Sequence, residues 1–111
     1  FNVHHGLSNG IFMPYVLTFN RSAIENKIEK LSGYLDLKEA SFNSFVDWVL
    51  ELREQIKIPH RITDSAKLTD EDITTMSPMA LNDPCTPGNP KKTTLDDMVS
   101  MYQHSVEGKL Y

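Results

Sequence analysis

A chain of 111 residues, 40% hydrophobic and 23% charged, has the size and make-up of one folded domain with a core, which excludes a disordered tail. Fifteen acidic residues outnumber eleven basic ones and Lys91-Lys92 is the only adjacent basic pair, so the clustered positive charge of a nucleic-acid binder is missing. A single cysteine, Cys85, excludes an internal disulfide and suits a reducing cytoplasm, where the chain is expected to reside.

The longest apolar block, Ile11 to Leu17, is broken by Pro14 and falls short of a membrane span. The first residues lack the charged-then-apolar order of a signal peptide. A start at Phe1-Asn2-Val3, without an initiator Met, is expected of a piece of something longer.

The first helix is predicted from about Leu7 to Phe19, where Leu7, Ile11, Tyr15 and Phe19 recur every four residues. Pro14 lacks an N–H and should kink or interrupt it, and Asn20-Arg21-Ser22 reads as its stop. Ile24, Ile28 and Leu31 define a second helix over Ala23 to Leu35, frayed by Gly33. The third is the clearest: Phe42, Phe45, Val46, Val49, Leu50, Leu52 and Ile56 form a 3.6-residue stripe reaching Lys57. Ser41 or Asp36 could cap its start, and Pro59 forbids much extension.

Ile56 to Ile62 could pass for a short strand, but Pro59 and the charges argue against it. Thr69 and Asp72 are spaced as a capping pair for a fourth helix, kinked by Pro78 and ending near Asn82. Its acidic first turn suits the positive end of the helix dipole. Three prolines and a glycine within Asp83 to Pro90 should prevent any regular element. Thr93 or Thr94, followed by Asp96 or Asp97, caps a last helix whose stripe is Leu95, Met98, Val99, Met101 and Tyr102. Five helices with short connections make an all-α bundle.

The chemistry legible from the residues alone is thin. No Gly-rich loop joins a strand to a helix, and no cysteine pair could close a zinc site. His4-His5-Gly6 precedes an apolar helix, and imidazole is a good ligand for divalent iron, zinc or nickel. A metal site needs three or four donors, however, so from these residues alone an ordinary histidine pair at a helix start is the favoured reading. Cys85 lies in a rigid loop of the kind that lines pockets, yet a free cysteine is more often a small, buried, inert hydrophobe. His60 and His104 read as surface residues, Trp48 as core or edge packing, and Met98 with Met101 as core filler.

Two longer motifs carry a resemblance. The run from His4-His5-Gly6 through Asn9 and Pro14 to Val16, followed by Phe19-Asn20, resembles the histidine-glycine helix of iron-containing (group III) alcohol dehydrogenases. The segment Asp83-Pro84-Cys85-Thr86-Pro87-Gly88-Asn89-Pro90, with Thr93-Thr94-Leu95-Asp96-Asp97 after it, resembles that family's closing loop and last helix, in the lactaldehyde/propanediol-type branch. The glycerol dehydrogenase and dehydroquinate synthase branches fit the Cys-Thr-Pro-Gly-Asn-Pro loop less well.

The resemblance implies a dehydroquinate synthase-like carboxy-terminal α domain, separated from an amino-terminal α/β domain that binds NAD or NADP. It implies that Fe2+, or Zn2+, sits in the cleft between the two, held by one Asp and three His, the last of which maps to His5. The other ligands, an Asp-x-x-x-His pair and one further His, would lie upstream of Phe1. His4 stands where the family commonly has Pro and receives no role. Cys85 matches a substrate-side position. The ion would polarise the oxygen of a small alcohol or aldehyde while hydride passes to or from the nicotinamide.

By that resemblance the partners are the absent nucleotide-binding domain, a small alcohol or aldehyde, and further copies in a homo-oligomer. The isolated piece is expected to be inactive and to hold no stoichiometric metal. The competing expectation is a self-standing helical interaction module without redox chemistry, its apolar stripes open to a partner helix.

Overall fold

The structure, a computed structural model, describes residues 5–110, and of residue 5 the backbone alone. It contains five helices: α1 (His5–Phe19), α2 (Arg21–Tyr34), α3 (Phe42–Gln55), α4 (Asp70–Leu81) and α5 (Leu95–Glu107). Single 3-10 turns sit at Ile62–Asp64 and Thr86–Gly88. No strand forms among the described residues, so Ile56 to Ile62 is a connection, as Pro59 requires.

The apolar stripes converge over part of their length, with Leu31, Leu52, Ile56 and Leu95 left exposed. Ile11 and Tyr15 of α1 are buried with Phe42, Phe45, Val46 and Val49 of α3, and with Ile62 and Ile73. α1 is the central element, packing on α2, α3, α5 and the 3-10 turn at Ile62–Asp64. Phe12 meets Tyr102 of α5 edge-on, with ring centroids 5.5 Å apart. Trp48 packs at the edge, tilted on Phe45 at 5.8 Å and 37% exposed. α1 also passes very close to Ile58: a Cβ added at Gly10 would lie 2.8 Å from its Cδ1.

Helix ends follow local hydrogen bonding. Ser41, not Asp36, caps α3 by accepting from the Ser44 amide. Asp36 instead leaves α2 with φ 56°, and Lys57 leaves α3 with φ 60°, so α3 stops at Gln55 rather than at Lys57. Thr69 with Asp72 and Thr94 with Asp97 form complete capping boxes at α4 and α5.

Three expectations are corrected. α1 does stop at Phe19, but the break is Asn20 alone: it stays in the helical region and donates to the Val16 carbonyl, so α2 begins at Arg21 rather than Ala23. Gly33 lies inside α2, which runs on to Tyr34. The proline-rich loop does contain a regular turn, Thr86–Gly88, since Pro87 near its start gives up no hydrogen bond that the turn needs.

The connection after α3 is held by a charge. Arg53 is 5% exposed, and its Nη2 donates to the carbonyls of Ile11 at 3.3 Å, Pro59 at 2.9 Å and His60 at 3.2 Å. The Tyr15 hydroxyl donates to the same His60 carbonyl. His60 Nε2 lies 2.8 Å from the Gly108 carbonyl and can only donate there, which leaves Nδ1 to accept from Arg53 Nη1 at 3.4 Å. Burial pushes the Arg53 pKa down and the Tyr15 hydroxyl up, and the interaction between the two opposes both shifts.

The caps give a pH dependence with a definite sign. Hydrogen bonds from Thr69 and from the Thr94 amide hold the carboxyls of Asp72 and Asp97 below the ordinary value of 3.8. Their contribution is therefore complete above 3.8 and lost as pH falls further. Thermal melts should show a midpoint that drops below that pH, with a shallower acid limb in Asp72→Asn/Asp97→Asn. Thr94→Ala should cost about 1 kcal/mol at neutral pH by urea unfolding. An acid limb of unchanged steepness in the double variant would show that the caps contribute nothing.

Candidate functional site

A cavity of about 590 Å³ lies between α1, the Cys85 loop and α5. Asn9, Val16 and Phe19 form the α1 wall. Cys85, Thr86, Gly88, Asn89 and Pro90 supply the loop side, and Thr93, Met98 and Met101 complete it. Both methionines are half-buried walls of this cleft rather than core filler, because the loop arches over α5 without closing on it.

Cys85 is exposed, not a buried hydrophobe. Its amide donates to Asp83 Oδ1 at 2.8 Å, a local turn that presents the side chain outward. The described lining is a thiol, amides, hydroxyls and apolar groups, with no carboxylate and no imidazole among them. Such a surface binds and orients a small molecule, whereas acid–base work needs groups from elsewhere.

His4 lies outside the described residues, and so does the side chain of His5. The backbone of His5 begins α1 and stands one turn before Asn9, on the same face of the helix. Among the described residues no three of His, Cys, Asp or Glu come together to hold an ion. The donor set among the described residues is therefore incomplete, and a divalent ion would need ligands from outside them. His60 is exposed as expected, but it belongs to the Arg53 network. His104 lines a separate cavity of about 210 Å³ with Tyr15, Lys91 and Ser100.

Sequence reasoning passed over what holds the loop. Asn20 and Asn89 bond to each other, and the Lys91 ammonium lies 4.4 Å from the Phe19 ring centroid. Residues 69 or 72 positions apart give no periodic signal. The only clue is that each motif contains an asparagine, in Phe19-Asn20 and in Asn89-Pro90.

The fold is thus an all-α bundle whose first helix and Cys85 loop face each other across one cleft. The chain belongs to the Fe-containing alcohol dehydrogenase family, matching its C-terminal region over residues 1–106. It is 32% identical over 108 residues to the lactaldehyde reductase of Escherichia coli strain K12, covering 92% of this chain and 28% of that protein. It is 26% identical over 110 residues to the NADPH-dependent butanol dehydrogenase of Clostridium saccharobutylicum, covering 93% and 28%. It is 22% identical over 135 residues to the methanol:N,N-dimethyl-4-nitrosoaniline oxidoreductase of Mycobacterium sp. strain DSM 3803 / JC1, covering 97% and 32%. The chain thus spans between 28% and 32% of these relatives. No helix of the described residues is long and apolar enough to cross a membrane.

The thiol offers a direct check. Cys85 should take up one equivalent of a disulfide reagent in the native chain at a rate within about tenfold of that in urea, since burial is what renders cysteines inert. A thiol that reacts only after unfolding contradicts the open cleft.

Proposed function

We propose that this chain is the substrate-side part of an NAD(P)-dependent, divalent-metal-dependent alcohol dehydrogenase, acting on a small alcohol or aldehyde. The observation that carries the reading is the register of α1. Asn9 lines the cleft opposite Cys85, and His5 begins the same helix one turn earlier. In this reading His5 contributes one nitrogen to the ion, Fe2+ or Zn2+, and the rest of the polypeptide contributes the other donors. A bound ion of that kind supplies Lewis-acid polarisation of the substrate oxygen. Cys85, Met98 and Met101 form the wall against which the carbon chain of the alcohol packs, and Asn9 and Asn89 set the polarity of the cleft floor.

The length of chain supports the same division of labour. At 28% of the lactaldehyde reductase's length, this piece is shorter than a carboxy-terminal half. The remainder then comprises the nucleotide-binding domain together with the upstream stretch of the helical half that bears the other ligands. Trp48, Leu52 and Ile56 leave an apolar row on α3 at four-residue spacing, 37%, 41% and 58% exposed. That remainder, or another copy in a homo-oligomer, would cover it. The piece alone is inactive in this reading and self-associates through that row.

The test joins this chain to the rest of its family length. His5→Ala should weaken ion affinity and lower turnover, each by about 10²-fold or more, since even outer-shell partners of a metal ligand are worth 10–100-fold. Retained ion and unchanged turnover would remove His5 from the site.

A further inference from the structure

Both residues that close α1 are gripped by the loop carrying Cys85. Asn20 Nδ2 donates to Asn89 Oδ1 at 2.8 Å, and Asn89 Nδ2 donates to Asn20 Oδ1 at 2.7 Å. One position earlier, the Lys91 ammonium stands against the Phe19 ring. An asparagine directly before a helix ordinarily caps it with its side-chain oxygen. Asn20 does not: it precedes α2 in a helical conformation, makes no side-chain cap and is 5% exposed. A buried amide needs partners for its donors and its acceptor, and Asn20 finds them in the loop.

The loop has little else to hold it. Asp83, Pro84, Cys85, Pro87, Gly88 and Pro90 are all exposed, so apolar burial contributes little there. Its anchors are polar and sit at two points. Thr86 Oγ1 donates to the Ala80 carbonyl near the end of α4, and Asn89 reaches the end of α1. The Asn89 amide also donates to the Lys91 carbonyl at 2.7 Å and lies 3.3 Å from Thr93 Oγ1, so one side chain both folds the loop and tethers it.

We infer that the reciprocal Asn20–Asn89 amide pair is the positioning device of the cleft, fixing how far Cys85 stands from the α1 wall. Its consequence for substrate binding rests on the substrate-side reading of the cleft given above. Neither asparagine need touch the reacting atoms; both act through the loop.

The chain's single cysteine makes the test clean, because a nitroxide on Cys85 reports loop motion at one site. Asn20 lies outside the loop, so Asn20→Ala reaches the label only through the pair. Asn20→Ala and Asn89→Ala should each sharpen the spectrum toward a mobile label, and the double variant should be no more mobile than Asn89→Ala. Circular dichroism monitors folding. Should Asn20→Ala unfold the chain, Asn20→Asp keeps the acceptor, loses the donor and should give intermediate mobility. A label unmoved by the Asn20 variant that folds overturns the inference.

The second arm uses the longer polypeptide. There Asn20→Ala should raise KM for the alcohol about tenfold, equivalent to about 1.4 kcal/mol, with kcat within about twofold. A mobile label with unchanged KM upholds the positioning device and overturns the substrate-side reading. A rigid label with raised KM overturns the device instead.

Discussion

Arg53 is the point on which the arrangement of α1 depends. A guanidinium withdrawn from water must replace its hydration with acceptors, and here the acceptors are main-chain carbonyls from two separate segments. One of them, Ile11, lies in α1 beside the position where Pro14 withholds a hydrogen bond from the carbonyl of Gly10. Arg53 bonds the neighbouring Ile11 carbonyl, not the Gly10 carbonyl itself, and so ties the connection after α3 to that turn of α1. The same side chain draws in residues 59 and 60, where Tyr15 adds a second bond and His60 carries the connection on to Gly108 after α5. Removing the charge would strand several carbonyls at once rather than a single contact.

With α1 fixed at its middle by Arg53 and at its end by Asn20, the cleft follows. Its α1 wall consists of Asn9, Val16 and Phe19, residues on a helix that packs against four other elements. The opposite wall is a loop with almost no buried surface of its own. A rigid wall facing a tethered one suits a site that must admit a small molecule and then orient it. The division also explains why the cleft carries no acid or base among its described lining. In the proposed reading, the reactive groups come from the part of the polypeptide outside this chain.

Much of the fold was legible because it rests on local chemistry. The α3 stripe, the Thr69–Asp72 box and the Thr94–Asp97 box are set by residues within a few positions of each other, and each appears where spacing puts it. What spacing missed was long-range. Asn20 reads as a helix stop because asparagine commonly is one; only its bond to a residue 69 positions away shows why it stays helical. Arg53 draws no notice from the sequence, since nothing in its neighbours announces three waiting carbonyls. Met98 and Met101 have the periodicity of core, and only the arch of the loop makes them cleft walls. For the site, Cys85 was visible through its motif, whereas the partners that hold it in place were not.

In the proposed reading a metal-dependent redox reaction takes place beside this cleft, and the role proposed for α1 is to bring one imidazole to the ion. The most direct measurement is X-ray absorption at the metal edge of the longer polypeptide, loaded with excess cobalt, for the native sequence and for His5→Ala. One nitrogen donor of imidazole type fewer in the variant is the expected result. An identical coordination shell in both would contradict the assignment of α1 to the metal centre.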